Sequence, residues 1–218
     1  MKQFIVLGLG RFGSSVAITL TELGYEVLGV DSDPERVNAL KDKITEAVQA
    51  DISDERALVE LGAKNFDAAI VGVGSILESS ILAAIILKEM GIKYIVAKAQ
   101  NALHGKVLEK IGVDKIVFPE RDMGIRIARS LITPNIKDYI ELEPDHSVIE
   151  IEALPDFIDK TLSELDLRNK YGINVLAIKR DNSFNISPKA KDVIKKGDFL
   201  IVIGETKKIT ELAGKSSH

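Results

Sequence analysis

A chain of 218 residues is long enough for one large domain or two small ones with a proper core. Its hydrophobic content of 45% and charged content of 28% are ordinary for a globular protein. A net charge of −4 argues against a broad footprint on nucleic acid, and the lack of cysteine excludes disulfides, thiolate metal sites and cysteine nucleophiles.

The first apolar run, residues 3–7, enters the glycine turn Gly8-Leu9-Gly10-Arg11-Phe12-Gly13. A helix is predicted over 12–23, with Phe12, Val16, Ala17, Leu20 and Leu23 on one face. A buried strand that turns on glycines into a helix leaves backbone N–H groups unpaired at the helix start. With the positive end of the helix dipole, they form a site for phosphate. In a G-x-G-x-x-G turn the first glycine allows the bend, the second admits the pyrophosphate, and the third lets helix and strand pack closely. The next strand, 26–30, runs into Asp31, about 20 residues past the glycines, where a carboxylate can accept hydrogen bonds from ribose hydroxyls. The competing reading is a bare turn plus an acid capping the next helix, since Asp33-Pro34 is a good helix start.

Further strands are expected at 46–50, 68–73, 94–98 and 115–118, with helices at 34–43, 54–62, 77–90 and 102–111. Six strands separated by helices predict an α/β fold, a Rossmann-type doubly wound parallel sheet. Ligands in such sheets sit at the carboxyl ends of the strands. That edge gathers Asp51 and Ile52, the run Gly72-Val73-Gly74-Ser75, and Lys98. Asp51 could reach the adenosine end of a nucleotide or cap a helix. Lys98 could face phosphate or simply be solvated. Arg11, inside the glycine turn, is disfavoured by the helix dipole unless an anion pairs with it. A helix at 120–132 carries Met123, Ile127 and Leu131 on one stripe, to be covered by its own domain or by another subunit, and ends at Thr133-Pro134-Asn135.

After residue 135 the pattern changes. Residues 139–143 and 148–152 alternate apolar and acidic, the period of half-exposed strands. A helix at 162–170 stops at Gly172; a strand at 173–178, a polar turn at 180–183, a strand at 199–203 and a helix from Thr206 complete a small α+β lobe. The expected domains are therefore 1–135 and 136–218. The longest apolar run, Ile81 to Leu87, is far below the ~20 residues that span a bilayer, and no signal peptide precedes the first strand. The expectation is a cytoplasmic protein without direct membrane insertion.

Catalytic motifs are scarce. There is no G-x-S-x-G elbow, and His104, His146 and His218 lie far apart. Gly214-Lys215-Ser216 resembles the end of a P-loop, but Ile209 stands where its first glycine is required. An NAD(H)-dependent oxidoreductase would use the same glycine turn and Asp31, yet the last 80 or so residues look too short and aliphatic to hold a substrate.

The ordered set G-L-G-R-F-G, Asp31, Asp51, V-G-V-G-S, K-A-Q-N at 98–101 and F-P-E-R-D-M-G at 118–124 resembles the RCK domain, the regulator of potassium conductance. More narrowly it is similar to the cytosolic subunits of Ktr/Trk-type potassium uptake systems. L-D-L-R at 165–168, Y-G-I-N-V-L-A-I-K-R at 171–180 and Ser187-Pro188 resemble the second lobe of those subunits. The resemblance spans essentially the whole chain.

It implies a regulator rather than an enzyme: homodimers assembled as an octameric ring beneath an integral-membrane potassium-transporting subunit. ATP would activate and ADP inactivate, with NAD or NADH as the alternative ligand. Gly8, Gly10, Arg11, Phe12 and Gly13 would hold phosphates, and Arg11 would reach a γ-phosphate across the dimer. Asp31 would take the ribose and Asp51 with Ile52 the adenosine side; Gly72, Val73 and Gly74 would approach the nucleotide. Lys98 would lie near phosphate, and Glu120 would help hold a divalent cation or Na+ at the dimer interface. In the second lobe the resemblance implies a cyclic di-AMP site formed by Leu167, Arg168, Asn174, Val175 and Pro188.

Overall fold

The computed structural model describes residues 2–73, 76–132, 136–143, 145–181 and 183–214. Gly74, Ser75, the Thr133-Pro134-Asn135 stop and residues 215–218 lie outside them. The chain folds as two compact units, residues 1–121 and 122–218.

In chain order the first unit contains β1 (Gln3–Leu7), α1 (Arg11–Glu22), β2 (Glu26–Asp31), α2 (Pro34–Leu40), β3 (Glu46–Gln49) and α3 (Glu55–Glu60). It continues with β4 (Ala68–Val71), α4 (Leu77–Glu89), β5 (Ile95–Lys98), α5 (Ala102–Ile111), β6 (Lys115–Val117) and the start of α6 (Pro119–Ile132). The six strands are parallel in the order β3-β2-β1-β4-β5-β6. This is the Rossmann order, in which the direction of winding reverses between β1 and β4 and leaves a crevice there. The alternation within β1 shows why helices lie on both faces. Ile5 and Leu7 enter one core with Leu87 and Leu108, and Val6 enters the other with Ala17 and Val37. β4, Ala68–Val71, is buried along its whole length, as a central strand covered on both sides must be.

The second unit holds β7 (Ile136–Glu143), β8 (His146–Glu152), α7 (Leu162–Leu165), α8 (Leu167–Tyr171), β9 (Asn174–Arg180), β10 (Ser183–Ile186), β11 (Phe199–Glu205) and α9 (Thr206–Gly214). Its strands form an antiparallel sheet ordered β10-β9-β11-β8-β7. Ile149, Ile151, Leu200 and Val202 pack against Leu165, Leu167, Ile209 and Leu212. The α+β lobe expected from the sequence is present, with two differences. The single helix expected at 162–170 is broken at Asp166, whose φ of 48° is left-handed. The stretch after the polar turn forms a fifth strand, β10, paired with β9.

No helix among the described residues is long and apolar enough to cross a membrane. Met123, Ile127 and Leu131 of α6 are exposed.

Candidate functional site

The glycine turn is locked by backbone contact. Gly8 has a φ of +93° and donates its N–H to the Val30 carbonyl at 2.7 Å. A Cβ at Gly13 would collide with the Gly8 carbonyl oxygen. One at Gly72 would lie 2.9 Å from that oxygen and 3.2 Å from Gly13 Cα, and Gly72 donates to Leu7 O at 2.7 Å. The ends of β1 and β4 and the start of α1 therefore meet where no side chain fits.

Gly10 is the N-cap of α1 and brings no side-chain cap, and the first turn has no acidic residue. The helical ladder begins with Ser14 N–H donating to Gly10 O at 2.9 Å, so the N–H groups of Arg11, Phe12 and Gly13 precede it. The positive end of a 12-residue helix thus faces the rim uncompensated. A Cβ at Gly10 would meet nothing nearer than Arg36 Nη1 at 3.9 Å. The surface above Gly10 is open, which suits close approach of a ligand rather than tight packing. Phe12 packs its ring on the core beneath α1, leaving its backbone for the turn. Arg11 is exposed.

Asp31, 5% exposed, does more than the sequence suggests. Its Oδ2 accepts the Leu9 N–H at 2.6 Å, and its Oδ1 accepts the Asp33 N–H at 2.9 Å. Arg36 reaches Asp31 Oδ2 at 3.4 Å and Asp33 at 3.3 Å. The carboxylate holds the second residue of the glycine turn in place, and three of its roughly four acceptor positions are used. The sequence gives no sign of Arg36, which reads as one more polar position on α2. Asp33 caps α2 as expected, accepting from Glu35 N–H at 2.9 Å.

Asp51 does not cap a helix. It accepts from the Ser53 hydroxyl and N–H at 2.6 and 2.9 Å, and these bonds hold its carboxyl below the usual range. The cap of α3 is Asp54, which accepts from Arg56 N–H. Ile52 is buried in the core with Val30 and Leu58. Val73 lies against Gly8, its Cγ2 occupying the place of a Gly8 Cβ.

Lys98 is not the solvated lysine that isolation in sequence suggests. Its side chain is 15% exposed, and Nζ meets Glu120 Oε1 at 2.5 Å, in the first turn of α6. The Lys98 hydrogen bond, a backbone N–H in that turn and the charges of Lys98 and Arg11 hold the Glu120 carboxyl below its ordinary value. Arg11, Lys98 and Glu120 therefore share the rim. The start of α6 is fixed by Phe118, whose ring a Gly105 Cβ would approach to 2.6 Å and over which the Arg121 guanidinium stands at 3.9 Å. Among the described residues no three His, Cys, Asp or Glu side chains gather as a metal site.

In the second unit, a pocket of about 420 Å³ is lined by all five residues singled out there: Leu167, Arg168, Asn174, Val175 and Pro188. The left-handed turn at Asp166 starts α8 in a new direction and sets Arg168 and Asn174 around one hollow.

A doubly wound sheet with an open glycine turn, followed by a pocketed antiparallel lobe, defines a two-part nucleotide-binding Rossmann class of protein. Residues 4–119 match the TrkA-N domain and residues 147–215 the TrkA-C domain. The chain is 46% identical over 217 residues to Ktr system potassium uptake protein C of Bacillus subtilis, covering 100% of this chain and 98% of that protein. It is 44% identical over 208 residues to Ktr system potassium uptake protein A of the same organism, covering 95% and 94%. The GsuK channel superposes with a TM-score of 0.71 at 16% identity, over 100% of this chain and 40% of that one, a likeness of fold. The chain belongs to the Ktr/Trk family of potassium uptake regulatory subunits.

Proposed function

We propose that the chain is a nucleotide-gated regulatory subunit, activated by ATP and inhibited by ADP and by cyclic di-AMP. Homodimers would assemble as an octameric ring on an integral-membrane potassium-transporting subunit at the cytoplasmic face, with lobes 1–135 and 136–218. The exposed stripe of α6 is offered to a second copy. The NAD(H)-dependent oxidoreductase reading shares the glycine turn and Asp31, but kinship with potassium uptake proteins favours the regulator.

The observation that carries the nucleotide site is the capless start of α1 above Gly10, beside glycines that admit no Cβ. That cradle and its donors fit a polyphosphate. The Gly8 N–H is taken by the Val30 carbonyl, so Gly8 would shape the turn while the backbone N–H groups of Gly10, Arg11, Phe12 and Gly13 would hold the polyphosphate, with Gly72, Val73 and Gly74 lining the approach. Asp31 would use its remaining acceptor position for a ribose hydroxyl, and Asp51 with the Ile52 backbone would meet the adenosine side. NAD or NADH would use the same donors. Lys98 would face phosphate, and Glu120 would help hold a divalent cation or Na+. In the second lobe, Arg168 and Asn174 supply polar groups, and Leu167, Val175 and Pro188 apolar walls, for cyclic di-AMP.

A ligand moves a ring between two shapes only by its difference in affinity for them. Arg11, reaching a γ-phosphate held by a second copy, would supply that difference. Calorimetry with ATP, ADP, NADH and cyclic di-AMP, with light scattering for subunit number, tests the reading. Arg11→Ala should leave ADP affinity nearly intact and lower the preference for ATP; equal loss for both nucleotides would refute the role of Arg11.

A further inference from the structure

Resting on the reading of the second-lobe pocket as a cyclic di-AMP site, we infer that Asp192 is a positioning residue for that pocket. It acts together with Asn185 by holding one wall in place, and neither side chain lines the pocket itself.

Part of the lining is helical, with Leu162 and Ser163 at the start of α7 and Arg168 in α8. Another part is the connection from β10 to β11, which contributes Pro188 and Ala190. Backbone bonds join the two: Leu162 N–H donates to Asp192 O at 3.1 Å and Ser163 N–H to Ala190 O at 2.9 Å. The stretch ahead of Ala190 has fewer supports. Ser187 stands at φ 60°, in the left-handed region that a residue with a Cβ disfavours. Pro188 has no N–H to donate. The Lys189 N–H goes to Asp192 Oδ2 at 2.9 Å, and the Asp192 N–H returns to Lys189 O at 2.9 Å, so Asp192 closes this turn with both side chain and backbone. The same Oδ2 accepts from Asn185 Nδ2 at 2.9 Å, which ties the turn to the edge strand β10. The Lys189 and Asn185 bonds hold the Asp192 carboxyl below its ordinary value, so it is charged at neutral pH.

A carboxylate this near a site for an anionic dinucleotide has two effects of opposite sign. Its charge repels the ligand, a repulsion that salt screens. Its hold on Pro188 and Ala190 favours the ligand, because a wall already in place need not be ordered on binding. Removing the side chain shows which effect prevails, and the bonds to Lys189 and Asn185 point to the second.

Calorimetry of the full chain with cyclic di-AMP tests the assignment. Asp192→Ala should raise Kd about five- to twentyfold, the size of losing a charge-assisted hydrogen bond at a partly exposed site. Asp192→Asn keeps an oxygen able to accept from both donors and should stay within about twofold of the wild type. Asn185→Ala should raise Kd about two- to fivefold, and should add nothing in the Asp192→Ala background, since the contact is shared. Amide exchange over residues 187–193 without ligand should quicken in Asp192→Ala and not in Asp192→Asn. Thermal melting establishes that each variant is folded; if Asp192→Ala is not, Asn185→Ala, on an exposed side chain, decides alone. Unchanged or tighter binding by Asp192→Ala, or Asp192→Asn as weak as Asp192→Ala, overturns the positioning role. A wild-type chain that takes up no cyclic di-AMP overturns the ligand reading instead. Unchanged amide exchange in Asp192→Ala overturns the anchor whatever the ligand.

Discussion

Asp31→Ala separates the structural work of a buried carboxylate from any work on a ligand. Asp31 accepts the Leu9 N–H at 2.6 Å and the Asp33 N–H at 2.9 Å, both on a side chain shielded from water. A hydrogen bond to a charged acceptor contributes about 1.5–3 kcal/mol, and losing one partner leaves the other unpaired and desolvated. The Arg36 contact is half exposed and adds at most ~1 kcal/mol. The loss should therefore be about 4 kcal/mol, a large share of the ~5–15 kcal/mol that holds a domain together. For a unit of this size that lowers the melting temperature by roughly 15 °C. The assay is thermal unfolding followed by far-ultraviolet circular dichroism, without nucleotide, so that binding does not enter. Asp31→Asn, which keeps one acceptor oxygen and turns an NH2 toward the other donor, should fall between wild type and Asp31→Ala. A drop below about 4 °C for Asp31→Ala would refute the claim that this carboxylate builds the turn.

Three further outcomes follow from the geometry. Gly10→Ala adds a methyl to open space at an ordinary φ of −65°, so melting should shift little while ATP affinity falls at least about tenfold; Gly13→Ala drives its Cβ into the Gly8 carbonyl and should unfold the first unit. Calorimetry beside thermal melts distinguishes the two, and equal behaviour would refute the cradle. In the second unit, buried Asp198 receives two bonds from Arg180 at 2.7 Å and the Lys195 N–H at 2.8 Å; burial raises its carboxyl, but these bonds bring it net below the ordinary range. Its contribution is complete above the unfolded value of ~3.9 and is lost as pH falls through the folded one, so Asp198→Asn should cost about 2–4 kcal/mol at pH 7 and flatten the acid limb of unfolding. His104 is buried, its Nε2 meets no hydrogen-bond partner among the described residues, and desolvation lowers its pKa. The unfolded chain then takes the proton first, near pH 6.5, so stability falls as pH drops below that value; His104→Gln should remove that slope between pH 7.5 and 5.5, and an unchanged slope would refute it.

The regular half of the fold was legible because its physics is local. The apolar run of β1, the glycines after it and the acid ending β2 each carry their meaning within a few residues. What was missed is nonlocal or lacks a residue-type signal. Asp166 turns left-handed without being glycine, so nothing marked the break between α7 and α8. β10 is exposed on both faces, and the polar–apolar alternation of Ser183-Phe184-Asn185-Ile186 is too short to stand out from the polar turn before it. Asp51 sits three residues before the true cap, Asp54, and both are aspartates ahead of the same helix. Lys98 and Glu120 were singled out separately; that they meet depends on β6 bringing the start of α6 back beside the end of β5. Arg36 is found only by seeing which way a surface side chain leans.

The site divides into a rigid part and a charged part, and the division decides how signalling could work. Gly8, Gly13 and Gly72 are fixed by backbone contact, so the N–H groups at the start of α1 would meet any bound phosphate chain in the same way. Such contacts give affinity without preference between ring shapes, and a ligand bound equally well by two states shifts neither. Arg11, Lys98 and Glu120 carry the charges at the rim, and on the proposed reading these would feel the difference between a di- and a triphosphate. Substitutions in the cradle should therefore weaken ATP and ADP in parallel, whereas substitutions at the rim should change their ratio. A rim variant that weakens both nucleotides equally would move the switch away from these three side chains and into the cradle itself.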